Sequence, residues 1–118
     1  SIDIGQIEGG FVQGLGWLTC EELCFSQEGK LLTTGPSTYK LPGSRDIPKI
    51  FNVKLLENAD NEEKTIFRSK AVGEPPLLLA ISHFLALKEA IKDSSEKSKP
   101  ELLNSPATPS EILRVLKA

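Results

Sequence analysis

The 118-residue chain has no methionine and only one histidine, two cysteines, one tryptophan and one tyrosine. Each scarcity closes off a kind of chemistry. The lone histidine, His83, lies within an apolar stretch and is a poor base for a serine or cysteine triad. Cys20 and Cys24 stand four residues apart with no further Cys/His cluster, so no zinc or iron–sulfur site is expected from this chain's own ligands. All three side chains read as packing residues, by their ordinary burial preferences. No apolar run approaches the roughly 20 residues that span a bilayer, and no signal-peptide pattern is visible. Basic residues are not in excess: 14 Lys and Arg against 16 Asp and Glu give a formal charge of −2. That balance argues against nucleic acid or an anionic membrane as partner, since both select basic patches. A cytoplasmic protein is expected. The missing methionine and the opening Ser-Ile-Asp-Ile-Gly read as a piece of something larger.

What is present is ordinary for a globular chain, 39% hydrophobic and 25% charged. A chain of this length can bury roughly two-thirds of the surface it exposes when unfolded. Ile4, Ile7, Phe11, Leu15 and Leu18 follow the three-and-four spacing of a helix face, predicting a helix over 4–20. Five glycines interrupt this region: Gly5, Gly9, Gly10, Gly14 and Gly16. An interior helical glycine costs about 1 kcal/mol relative to alanine. Several together therefore imply close approach of another backbone or a bulky ligand, with Gly5 and Gly9, and in part Gly14, as the small-residue stripe.

Glu28-Gly29-Lys30 reads as a turn between two extended runs, Glu22–Ser26 and Leu31–Gly35. Phe51 to Leu56 alternates apolar and polar, as a half-buried strand would, and 65–67 reads as a short extended piece. An almost unbroken apolar segment from Leu77 to Leu87 predicts one long helix, buried on most faces and running to about Lys92. Thr108, Pro109 and Glu111 stand where a cap, a first helical residue and the partner of a capping box belong, predicting a C-terminal helix through Leu116. The expected fold is α+β: a glycine-rich N-terminal helix, a small mostly antiparallel sheet, a long apolar helix and a short C-terminal helix.

Nucleotide motifs fail. Gly14-Leu15-Gly16 lacks the third glycine of a dinucleotide fingerprint, and no phosphate loop exists. The segment that can carry chemistry is Ala71-Val72-Gly73-Glu74-Pro75-Pro76. Gly73 leaves room for a ligand, and Pro75 restricts Glu74 to extended backbone angles. Proline suits the first turn of a helix, placing Glu74 at a helix mouth. There the helix end favours the ionised carboxylate while burial raises its pKa. A general base and a simple helix cap are both compatible with that placement.

Four segments then carry a resemblance to a family. Asp3 to Gly16 resembles the glycine-rich helix near the C-terminus of xanthine dehydrogenases and aldehyde oxidases. Gly35-Pro36-Ser37-Thr38-Tyr39-Lys40-Leu41-Pro42 is similar to that family's next signature, Ser69 to Pro76 to its active-site loop, and Ser105 to Pro109 to the start of its final helix. The resemblance implies that residues 1–118 are a C-terminal fragment of a molybdopterin-binding domain. It implies a molybdenum–molybdopterin cofactor, with 2Fe-2S clusters and FAD in other parts of the enzyme. It carries the role of general base to Glu74, places Gly73 against the molybdenum centre, and assigns Gln6 a hydrogen bond to the cofactor. No metal ligand is implied among these residues. Expected partners are the remainder of the molybdenum-binding subunit, iron–sulfur and FAD subunits or domains, and a purine substrate, hypoxanthine or xanthine oxidised to urate. The isolated fragment is expected to be inactive. An aldehyde or N-heterocycle hydroxylase of the same family, and a non-enzymatic assembly module, are the alternatives. Gly16-Trp17-Leu18-Thr19 ahead of Glu21-Glu22 looks most like bacterial members.

Overall fold

The computed structural model of the chain describes residues 1–70 and 75–117. Helix α1 runs Ile2–Thr19, close to the span predicted from the apolar spacing. Asp3 in its first turn complements the positive end of the helix dipole. At its other end the Cys20 N–H donates to the Gly16 carbonyl, and the Thr19 hydroxyl to the Leu15 carbonyl at 2.6 Å. Leu15, Gly14 and Gly16 are buried, which fixes the side of α1 that faces the rest of the chain.

That side meets α2 (Pro75–Leu78) and α3 (Ile81–Ser94). A Cβ on Gly14 would collide with the Leu77 carbonyl oxygen and stand 2.8 Å from the Ala80 Cβ. A Cβ on Gly10 would stand 3.2 Å from the Pro76 Cβ. Two glycines four apart thus give α1 a smooth groove into which the backbone of α2 settles. The apolar segment is not one helix: it breaks at Leu79–Ala80, where the Ala80 N–H reaches Leu77, three residues back, at 3.2 Å. This tight turn brings Ala80 down onto Gly14 and fully buries it. The segment is not buried on most faces either, since Leu78, Leu79, Ile81 and Leu85 are exposed.

The core lies at the other end of α3. Ile91, Leu103, Ala107 and Val115 form a buried cluster, with Phe84, Leu87 and Ile112 packed against it. Val115 is entirely buried, and burying such a side chain stabilises by roughly 1.5–3 kcal/mol. It projects from α4 (Pro109–Leu116), whose start is built as the sequence indicates: Thr108 Oγ1 accepts the Glu111 N–H at 3.3 Å and Pro109 opens the first turn. The Ala107 N–H donates to the Leu18 carbonyl at 2.7 Å, tying the base of α4 to the end of α1. Among the described residues no helix is long and apolar enough to cross a membrane.

The expected antiparallel sheet is absent: among the described residues no β-strand forms. The turn at Gly29 does, with glycine at φ +81°, and the flanking runs meet in a single antiparallel bridge, Phe25 to Leu31. Residues 51–56 are not a strand, although Phe51 and Val53 are half-buried between exposed Asn52 and Lys54. The Phe51 ring packs on Phe11 of α1 with centroids 5.4 Å apart. The physical reason is that period-two alternation specifies only which side chains turn inward. Here they turn toward a helix, and an isolated two-stranded ribbon without a third strand or a covering layer is too weak to extend.

Helix α4 carries an acid-sensitive clasp. Arg114 donates two hydrogen bonds to the Glu111 carboxylate, at 2.7 and 2.8 Å, and one to the Leu102 carbonyl, while Glu111 also accepts the Asn104 N–H at 2.8 Å. Arg114 first, then the Asn104 backbone, lowers the Glu111 pKa from 4.5 to about 2. A depressed carboxylate pKa contributes stability that is present above the unfolded value and lost as pH falls through the folded value. Amide protection in α4 should therefore drop as pH is lowered from 4.5 to about 2. Glu111→Gln should remove that step, which hydrogen exchange at the α4 amides would reveal.

Candidate functional site

A cleft of about 950 Å³ opens where the first turns of α1 meet the start of α2. Asp3 and Ile7 of α1 form one side, and Pro75 and Pro76 of α2 another. Leu55, Asp60 and Asn61 contribute to the rest of the lining, together with Phe67, Arg68 and Lys70. The loop behind it is held by side chains. Asn61 Nδ2 donates to the Thr65 hydroxyl and to the Ser69 carbonyl, both at 3.1 Å, and the Thr65 hydroxyl donates to the same carbonyl at 2.7 Å. Lys70 Nζ reaches the Ala59 carbonyl at 2.9 Å. Within this knot Phe67 and Arg68 adopt left-handed backbone angles, φ +51° and +53°, a conformation costing about 1–3 kcal/mol for a non-glycine residue.

Of the residues singled out from the sequence, Gly73 and Glu74 lie outside the described residues. Their neighbours do not: Lys70 and Pro75, on either side of 71–74, both line the cleft. The helix beginning at Pro75 has four residues. The long apolar helix expected to follow Glu74 is instead a single turn, α2, followed by α3. Gln6 is exposed on α1, between the cleft-lining Asp3 and Ile7 in sequence but not in the lining itself. It shares an exposed face with Gly5, Gly9 and Gln13, and a Cβ at Gly5 or Gly9 would meet nothing within 4 Å. The glycines thus divide. Gly10, Gly14 and Gly16 are used inside the chain, whereas Gly5 and Gly9 leave an open strip beside an exposed amide.

That strip suits a flat cofactor approaching the backbone, with the Gln6 amide able to donate and accept at its edge. Among the described residues no three His, Cys, Asp or Glu side chains gather as a metal site.

The Gly35–Pro42 signature plays a structural part. The Tyr39 hydroxyl donates to the Glu21 carboxylate at 2.6 Å, and this bond is the main cause raising the tyrosine pKa. Glu21 is buried and, with Pro42, fills the space that a Cβ on Gly16 would need. Lys40 pairs with Asp46 at 3.1 Å. Asp46 has its pKa lowered first by the Gly43 N–H and then by Lys40. A smaller cavity of about 320 Å³ sits nearby, lined by Cys20, His83, Leu87 and Ile112 among others. Cys20 and His83 are half-buried, while Cys24 is exposed and departs from the packing role expected of it. Asp3, Phe67 and Arg68 were not singled out from the sequence. The Gly10/Gly14 spacing was the signal that could have identified the true intramolecular contact.

A profile described as molybdopterin cofactor-binding domain matches residues 1–48. The chain is 54% identical over 118 residues to xanthine dehydrogenase/oxidase of Felis catus, covering 95% of the chain and 9% of the relative. It is 55% identical over 115 residues to the protein of that name from Gallus gallus, covering 95% of the chain and 8% of the relative. With xanthine dehydrogenase of Drosophila subobscura it shares 57% over 91 residues, 77% of the chain and 7% of the relative. The chain therefore spans less than a tenth of the length of these relatives. All three are animal proteins and do not bear on the likeness to bacterial members. With the profile on α1 and identities above one-half running on through the cleft and the C-terminal core, the chain belongs to the xanthine dehydrogenase family, as a segment of its molybdopterin cofactor-binding region.

Proposed function

We propose that residues 1–118 are the C-terminal part of the molybdenum-binding portion of a purine-oxidising molybdenum hydroxylase. Glu74 serves as general base, and Gln6 and Gly73 border the cofactor. The observation that carries the Glu74 reading is the cleft itself: Lys70 and Pro75, on either side of 71–74, both line it, together with Asp3 and Ile7 of α1. Bound molybdopterin would supply the redox-active molybdenum centre. The chain's own share is narrower. Gln6 offers an amide to the cofactor edge, the bare Gly5–Gly9 strip permits close approach, and the Glu74 carboxylate holds and moves a proton. The Asn61-centred loop brings Lys70, and α2 brings Pro75, to the cleft lining. Iron–sulfur clusters and FAD belong to other parts of the assembled enzyme, as do most contacts to substrate.

Two measurements test this. The complete enzyme should turn over xanthine in preference to a simple aldehyde such as benzaldehyde; the reverse preference would reassign the substrate within the family, and no turnover of either would favour the assembly role. Gly9→Leu in that enzyme should lower bound molybdopterin several-fold, because the side chain would occupy a position with nothing within 4 Å in the chain itself. Unchanged cofactor content would remove α1 from the cofactor wall.

A further inference from the structure

Phe67 is 99% exposed, at the tip of a loop that is otherwise tightly knotted. The Asn61, Thr65 and Ser69 hydrogen bonds hold the backbone on both sides of it, and Arg68 Nη1 adds a long bond to the Asn61 carbonyl at 3.4 Å. Phe67 and Arg68 are both left-handed, a conformation that bulky residues avoid. A loop that spends hydrogen bonds and backbone strain on holding a phenyl ring out in water is built to place that ring somewhere. Ile66 beside it and Leu56 on the same cleft are 80% and 85% exposed, so the ring belongs to an apolar tip.

The occupant that the observations favour is more of the same polypeptide. The chain spans 9% of the cat relative, and the match covers 95% of the chain. Resting on the reading of this chain as one part of a larger molybdenum enzyme, we propose that Phe67 is a docking anchor. Its ring seats in an apolar pocket on the remainder of that enzyme's polypeptide and fixes the chain immediately upstream of residues 71–74.

The test uses the complete enzyme. Phe67→Cys, labelled with a maleimide and resolved from Cys20 and Cys24 by peptide mass spectrometry, should react at least about a hundredfold more slowly in native than in urea-unfolded enzyme. Labelling at the unfolded rate overturns the proposal. Protection that vanishes on dilution identifies a second copy as the occupant and overturns it as well. Because the cysteine could itself loosen the loop, Phe67→Tyr and Phe67→Ala provide a second measurement. Wild type and Phe67→Tyr should resist trypsin after Arg68, and Phe67→Ala should be cut there about tenfold faster; equal cutting of all three also overturns it. Neither readout involves turnover. A protected position 67 in an enzyme whose Glu74→Gln variant stays fully active defeats the functional reading and leaves the anchor standing, and the opposite pattern removes the anchor alone.

Discussion

Glu74→Gln in the complete enzyme should lower kcat by about a hundredfold to ten-thousandfold, the range by which a positioned general base accelerates a reaction. Glutamine keeps the size and hydrogen-bonding reach of the side chain but cannot take a proton near neutral pH. The structural alternative, a carboxylate that only helps a helix begin, predicts something quite different. Losing such a contact costs about 1 kcal/mol of stability and leaves turnover nearly unchanged. The size of the effect therefore discriminates between the two roles. Molybdenum content should be measured on the same samples, since a base that does not ligate the metal can be neutralised without emptying the site. Full activity in Glu74→Gln would return Glu74 to the helix-capping role. An inactive variant that had also lost its metal would point to a structural fault at the cofactor instead.

Gly14→Leu should be the most damaging single substitution on α1 for the folding of the chain. Even a methyl group at this position meets the Leu77 carbonyl and the Ala80 side chain, and the obstacle is backbone, which cannot rotate aside. Overpacking of this kind costs 1–3 kcal/mol, and occasionally more, enough to separate α2 from α1 in a domain whose whole stability is about 5–15 kcal/mol. Gly9→Ala, five residues earlier on the same helix, should do the opposite. Nothing stands within 4 Å of that position, and replacing an interior helical glycine by alanine gains roughly 0.5–1 kcal/mol. Urea unfolding of the two variants beside the parent chain would show the split as midpoints moving in opposite directions. Equal destabilisation by both would mean that the Gly10/Gly14 groove is not where α1 and α2 meet.

The two glycines illustrate how far composition reaches. That α1 must touch something closely was legible in its glycine content, because so many conformationally costly residues need a compensating contact. Which glycines touch the chain was not. Gly5 and Gly9, and in part Gly14, looked like the stripe; of these the fold used Gly14, together with Gly10 and Gly16. A helix with small residues on several sides can pack by any of them, and the choice was made by the Leu79–Ala80 break that drops Ala80 onto Gly14. In the candidate site, the sequence pointed to Gly73-Glu74-Pro75-Pro76 through the backbone restriction that Pro75 imposes, and Gly73 and Glu74 lie outside the described residues. The cleft beside it, and the loop that lifts Phe67 into water, depend on Asn61 reaching residues four and eight positions away.

Local chemistry by itself determined those parts of the chain whose stabilising partners lie within one turn. Helix α1 follows its apolar spacing, α4 starts where Thr108 can cap and Pro109 can open a helix, and the chain reverses at Gly29 because only glycine readily accepts that backbone angle. Tertiary structure decided everything that needed a partner from farther along. The runs around Gly29 and at 51–56 had strand-like patterns but no third strand to pair with, so Phe51 packed on a helix instead. The apolar segment after Pro76 was long enough for one helix and instead breaks at Leu79–Ala80, where Ala80 packs on Gly14. Alternation and apolar length state which side chains avoid water; which surface shelters them is set by the neighbours that only the folded chain brings near.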